Sequence, residues 1–263
     1  MLIEVLIVAA IVVTALSLIT EHVSPKVAGI IYGAPTGTAI TLFFLGLNSG
    51  AQFAAHSAIY NMIGMIAMQS LLFAYYKASI HFKKNTVIFS SICAVTVYLF
   101  VISILKSLQL DSITAIILPL SSVAVFGFLF REIENVKITN PVKLNIKTVI
   151  LRALCAAIII TSIVNASGFL GPTWSGLFSS FPTTLFPLIL IISTTYGVQP
   201  VHSIIKNVPL GLPSLILFSL TVSLTYPIYG VYVGIAISLA AALTYLITLK
   251  VIIEKLKHYE QKN

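Results

Sequence analysis

The chain has 263 residues, of which 58% are hydrophobic and only 8% charged, and its mean hydropathy is +1.06. About a quarter of the residues in a soluble domain are charged, so a water-soluble globule is excluded. At ~20 apolar residues per crossing, the length suits a bundle of membrane helices with little left for a soluble domain. The net charge of +8 would suggest nucleic acid in a soluble chain, but here it reads as loop charge on the cytoplasmic side, and no nucleic-acid partner is expected.

Apolar runs fall at about 2–20, 27–47, 51–76, 86–105, 112–130, 148–167, 173–195, 198–226 and 228–249. They predict an all-α polytopic membrane protein of about nine transmembrane helices. The first run has the length of a signal peptide. It carries Glu4 instead of a basic start and ends in Thr20-Glu21-His22 instead of a small-residue cleavage site, so an uncleaved span is expected. The third and eighth runs are long enough to be tilted or broken, and each has a polar first half. Cys93 and Cys155 sit in apolar runs without metal-ligand spacing and read as core residues.

Basic residues orient these spans. With the first loop inside, fourteen of the fifteen Lys and Arg residues lie on the cytoplasmic side or at that membrane edge, Lys106 being the exception. This asymmetry predicts an outside N-terminus and a cytoplasmic C-terminus in a multi-pass protein of the cytoplasmic (inner) membrane.

The sequence also matches itself at an offset of 147. The ungapped register pairs Pro25 with Pro172, Gly29 with Gly176, Pro35-Thr36 with Pro182-Thr183, Gly50 with Gly197, Gln52 with Gln199 and Gly64 with Gly211. Apolar coincidences are cheap in such a chain, whereas prolines, glycines and a glutamine in one register point to duplication. The expected organisation is membrane repeat 1 at 1–105, a linker helix and cytoplasmic loop at 106–147, membrane repeat 2 at 148–250 and a cytoplasmic tail at 251–263. Because the linker helix makes the number of crossings between equivalent positions odd, the second repeat should be inverted. Inverted-topology repeats recur in secondary transporters.

The order Gly176-Leu177, Phe181-Pro182-Thr183, Gly197 and Gly211, followed by a short aromatic turn and a last apolar span, resembles the GlpM family of small four-span inner-membrane proteins. The resemblance covers each repeat and leaves out the fifth span. The first repeat departs from it, with Ala34 where the second has Phe181. It implies two such four-span units fused in antiparallel fashion, and implies nothing about a substrate.

Pro35 and Pro182 fall near the middle of spans two and seven. A proline there lacks the N–H and clashes with the carbonyl four residues back, so each helix should kink or unwind. Gly33, Thr36, Gly37 and Thr38 surround one break, and Ser179, Ser180, Thr183 and Thr184 the other. Unwound backbone at membrane depth is tolerated only inside protein or along a wet cavity, so a substrate site is expected at Pro35, Thr36, Thr38, Ser180, Pro182, Thr183 and Thr184. The competing reading is an ordinary proline kink satisfied by nearby hydroxyls.

Polar stripes at helical spacing begin spans three and eight: Gln52, His56, Tyr60 and Asn61 in one, Gln199, His202, Ser203, Lys206 and Asn207 in the other. They are expected to line an outer and an inner vestibule. Alternatively, Lys206 snorkels to headgroups and His56 is a packed, hydrogen-bonded side chain. No Asp or Glu lies deep in a span, which disfavours a carboxylate-based cation antiporter, while helix N-termini and Lys206 favour a neutral, polar or anionic substrate.

Metalloprotease, nucleophile-elbow and phosphate-loop motifs are all missing, so no catalytic residue, metal or cofactor is expected. The sequence thus predicts a secondary transporter or flippase-like carrier with membrane lipids and a small-molecule or lipid-linked substrate as partners. The alternative is a non-transporting membrane component of an envelope or polysaccharide assembly machine.

Overall fold

The computed structural model describes residues 3–5, 7–8, 11–12, 34–108, 113–134 and 146–260. Pro25, Gly29, Gly33, most of the first span and the basic loop around Lys137 and Lys143 lie outside the described residues. The described residues are all-helical: α1 (Thr36–Ser49), α2 (Ala51–His81), α3 (Thr86–Leu105), α4 (Thr114–Leu129), α5 (Ile146–Ser179), α6 (Leu185–Tyr196) and α7 (Gln199–Glu260). Among them, the helical stretches Ala51–His81, Thr86–Leu105, Ala153–Ser179 and Gln199–Ile253 are long and apolar enough to cross a membrane. On α3, Ile88, Ile92, Phe100 and Ile104 are exposed along one side, a face suited to hydrocarbon rather than water.

Single glycines set the corners. Gly50, Gly171, Gly197 and Gly230 all combine positive φ with extended ψ, as in Gly197 (φ 82°, ψ 178°) and Gly230 (φ 74°, ψ 178°), a region open essentially to glycine alone. Gly230 interrupts the 62-residue α7, and its neighbours show a reversal. Thr225 Oγ1 donates to Gly234 O at 3.3 Å and Tyr245 donates to Leu210 O at 3.2 Å. In one straight helix, residues 210 and 245 would stand roughly 50 Å apart. α7 is therefore a hairpin of two arms, α7a (199–229) and α7b (231–260), with the turn close to the boundary expected between 226 and 228. α2, by contrast, runs unbroken for 31 residues, roughly 46 Å, so it must tilt to fit a ~30 Å hydrocarbon layer.

Two buried cores result. One joins the middle and end of α2 to α3, α4, α6 and the first part of α7a. The other joins the start of α2 to α1, α5 and the last turns of α7a, with Val5 packed in as well. α2, α5 and α7a thread both cores, α5 entering the first through Leu177 beyond its turn at Gly171, whereas α1 fills one and α6 the other. Between helices in lipid the driving force is close packing of small residues. Gly64 supplies this against Ser180, and Gly176 packs against the Ser57 carbonyl so closely that a Cβ at either glycine would overlap its neighbour.

Candidate functional site where two helix starts meet

The chain is not helical at either proline. Pro35 (φ −76°, ψ 44°) precedes the first residue of α1, and residues 180–184 separate α5 from α6, with Pro182 in the gap. Both prolines are buried. The local backbone closes its own hydrogen bonds: Thr36 N–H donates to Ala34 O and Ala39 N–H to Pro35 O, and on the other side Thr183 N–H donates to Phe181 O and Phe186 N–H to Pro182 O. The last turn of α5 is closed as well. Leu177 O accepts from Tyr98 OH at 2.8 Å and from Ser180 Oγ at 2.7 Å, and Phe178 O accepts from Phe181 N–H.

These two breaks meet. Thr36 Oγ1 and Thr184 Oγ1 lie 3.5 Å apart, and Gly37 sits so close to Thr183 that a Cβ there would overlap the threonine hydroxyl. Between them is a cavity of about 20 Å³ lined by Ala34, Gly37 and Thr38 of one break, by residues Ser180 to Leu185 at the other, and by Met68 and Leu215. Pockets that hold metabolite-sized ligands run to roughly 300–1,000 Å³, and a single water needs about 10–15 Å³. The cavity at the crossing therefore has room for about one small group. Of the residues expected here from sequence, Thr38, Ser180, Pro182, Thr183 and Thr184 line this cavity, and Pro35 and Thr36 are next to it.

The polar stripes lie elsewhere. On α2, Gln52 and His56 are exposed, Tyr60 is half-buried with its ring 5.5 Å from that of His56, and Asn61 is buried. Asn61 donates from Nδ2 to Ser179 Oγ at 2.7 Å and accepts from Ser219 Oγ at 2.8 Å, linking α2 to both α5 and α7a. Of the stripe on α7a, only Gln199 is exposed. His202 is buried, with Nε2 2.7 Å from Ser79 Oγ and its ring edge-on to Tyr76. Ser203 donates to Glu134 O at 3.1 Å, Asn207 donates to Ser203 O at 2.7 Å, and Lys206 Nζ donates to the carbonyls of Arg131 and Ile133. In this conformation the second stripe packs against α2 and the chain leaving α4. Helical spacing gathers polar residues on one face without fixing whether that face meets water or another segment.

The chain is matched by no family model, no curated protein and no solved structure.

Sequence reasoning passed over Tyr98, Met68 and Leu215. Tyr98 reaches Leu177 O and lies 3.2 Å from Ser180 Oγ, with its ring edge-on to Phe181, so it closes the end of α5. A signal was present: the same offset of 147 pairs Tyr98 with Tyr245 and Met68 with Leu215. Among the described residues no group of three His, Cys, Asp or Glu side chains could hold a metal ion.

Proposed function

We propose that the chain crosses the membrane nine times as two inverted four-span repeats around the 106–147 linker, and that it carries a neutral, polar or anionic substrate, free or lipid-linked, by alternating access. The observation that carries this reading is the reciprocity of the crossing. At the offset of 147, Thr36 corresponds to Thr183 and Gly37 to Thr184. Thr36 lies against Thr184, and Gly37 against Thr183. Each position therefore touches the counterpart of its neighbour, as two copies do across a two-fold axis. The cavity adds three pairs of counterparts: Ala34 with Phe181, Thr38 with Leu185 and Met68 with Leu215. Gly50 and Gly197, also counterparts, share one backbone conformation.

The vestibules support the same reading through their asymmetry. Gln52 and its counterpart Gln199 are both exposed, but His56 is exposed while its counterpart Ser203 is buried, as are His202 and Asn207; this difference suits a carrier with one side open and the other shut. Two similar units that can exchange conformations would reverse it. In a background with Cys93 and Cys155 replaced, single cysteines at positions 56 and 203 are treated with membrane-impermeant reagents from either side. Position 56 should react from the outside, and position 203 slowly from the cytoplasmic side as the protein turns over. If position 203 reacts only after denaturation, the bundle is a static scaffold and the carrier reading falls.

A further inference from the structure

We infer that the crossing is an anion seat: it holds one compact anion, or one anionic oxygen of a larger substrate, between the N-termini of α1 and α6 with Thr183 Oγ1 as donor. This deepens the carrier reading by naming the charge of its substrate, and it rests on that reading for its place in transport.

Hydrogen-bond bookkeeping separates anion from cation. A cation would find little negative charge here: Ala34 O, Pro35 O, Phe181 O and Pro182 O each already accept a backbone N–H, Leu177 O accepts from Tyr98 and Ser180, and the oxygens left over are neutral hydroxyls and second lone pairs. No acidic side chain lines the cavity. Donors are in surplus. α1 has 14 residues and α6 has 12, and both start without a side-chain cap, so two positive helix ends converge where Thr36 and Thr184 meet. Thr183 lines the cavity at 2% exposure, and its hydroxyl has no hydrogen-bond partner among the described residues. A buried hydroxyl left unpaired is costly, and an anion at the two helix ends would accept a hydrogen bond from it. The negative end of α5 nearby does not cancel this field, because its last carbonyls are occupied by Tyr98, Ser180 and Phe181. The volume of about 20 Å³ suits one ion or one oxygen, and Gly37, having no Cβ, leaves room for the Thr183 hydroxyl beside it.

The test uses the purified full chain in phosphatidylcholine nanodiscs, with thermal stability followed as sodium fluoride, chloride, acetate or phosphate is titrated at constant ionic strength. A parallel set adds phosphatidylglycerol. At least one anion should raise the transition temperature saturably. Thr183→Val should weaken that anion about tenfold or more, since a hydrogen bond to a charged group is lost, while Thr183→Ser should bind as the parent does. A saturable effect found only with phosphatidylglycerol, and lost in Thr183→Val, also sustains the seat and assigns the oxygen to a lipid headgroup. No saturable effect from any anion, or equal binding by Thr183→Val, overturns it. Absent anion binding with alternating reactivity at positions 56 and 203 sinks the seat and spares the carrier. Binding without alternation does the reverse.

Discussion

Asn61 on α2 donates to Ser179 at 2.7 Å, one residue before the chain leaves the helical path at Ser180. With Ser219 donating to its other amide atom, this one buried side chain ties α2, α5 and α7a together beside the crossing. Interhelical hydrogen bonds in membranes are worth ~0.6–1.7 kcal/mol. Asn61→Ala should therefore lower stability by about 1 kcal/mol in a reversible unfolding assay in detergent. Ser179→Ala added to it should cost less than the sum of the two single changes, because both remove the same bond.

Gly37 and Thr183 form a steric pair. A methyl group at position 37 would overlap the threonine hydroxyl, and overpacking typically costs ~1–3 kcal/mol. Gly37→Ala should lower the transition temperature of the purified protein, and Thr183→Ala in the same chain should restore much of it by removing the obstructing oxygen. Strict additivity would show that the two positions do not touch.

At the α7 turn, Gly230 has open space around it but a backbone only glycine adopts (φ 74°). Gly230→Ala should cost about 1–3 kcal/mol from strain alone. Gly168→Ala is the control: its surroundings are equally open and its φ is not positive, so substitution should stay within ~0.5 kcal/mol. Equal effects at both positions would remove the conformational explanation for the turn.

Lys206 holds the segment that follows α4, through the carbonyls of Arg131 and Ile133. Lys206→Met keeps the apolar stem and loses the donors. Hydrogen exchange at residues 131–134 should accelerate while the stability of the bundle changes by less than ~1 kcal/mol. A role confined to lipid headgroups would leave exchange at 131–134 unchanged.

The sequence makes the helical class, the α7 boundary and the break at Pro182 legible because each rests on a local rule: apolar run length, glycine at a reversal, or a missing N–H; at Pro35 the described residues show the start of α1, and the residues before Ala34 lie outside them. The meeting of the breaks is non-local, and only the 147-residue register hints that Pro35 and Pro182 share a place. The packing of His202, Ser203 and Lys206 was not legible. Their partners are Ser79, the carbonyl of Glu134 and those of Arg131 and Ile133, and no spacing within 199–207 encodes them. Tyr98 was hidden for the same reason: in an apolar run a tyrosine looks like one more aromatic until its hydroxyl finds Leu177.

The most direct test of a moving crossing is to lock it and read the far vestibule. In the cysteine-replaced chain, Thr36→Cys and Thr184→Cys place thiols where two hydroxyls stand 3.5 Å apart, within side-chain reach for a disulfide. Labelling of a cysteine at position 203 is then compared in oxidised and reduced membranes. The carrier reading predicts that oxidation forms the bridge, abolishes cytoplasmic labelling at 203 and leaves a cysteine at 56 reactive from outside, all reversed by reductant. A bridge that forms and leaves labelling at 203 unchanged would contradict it.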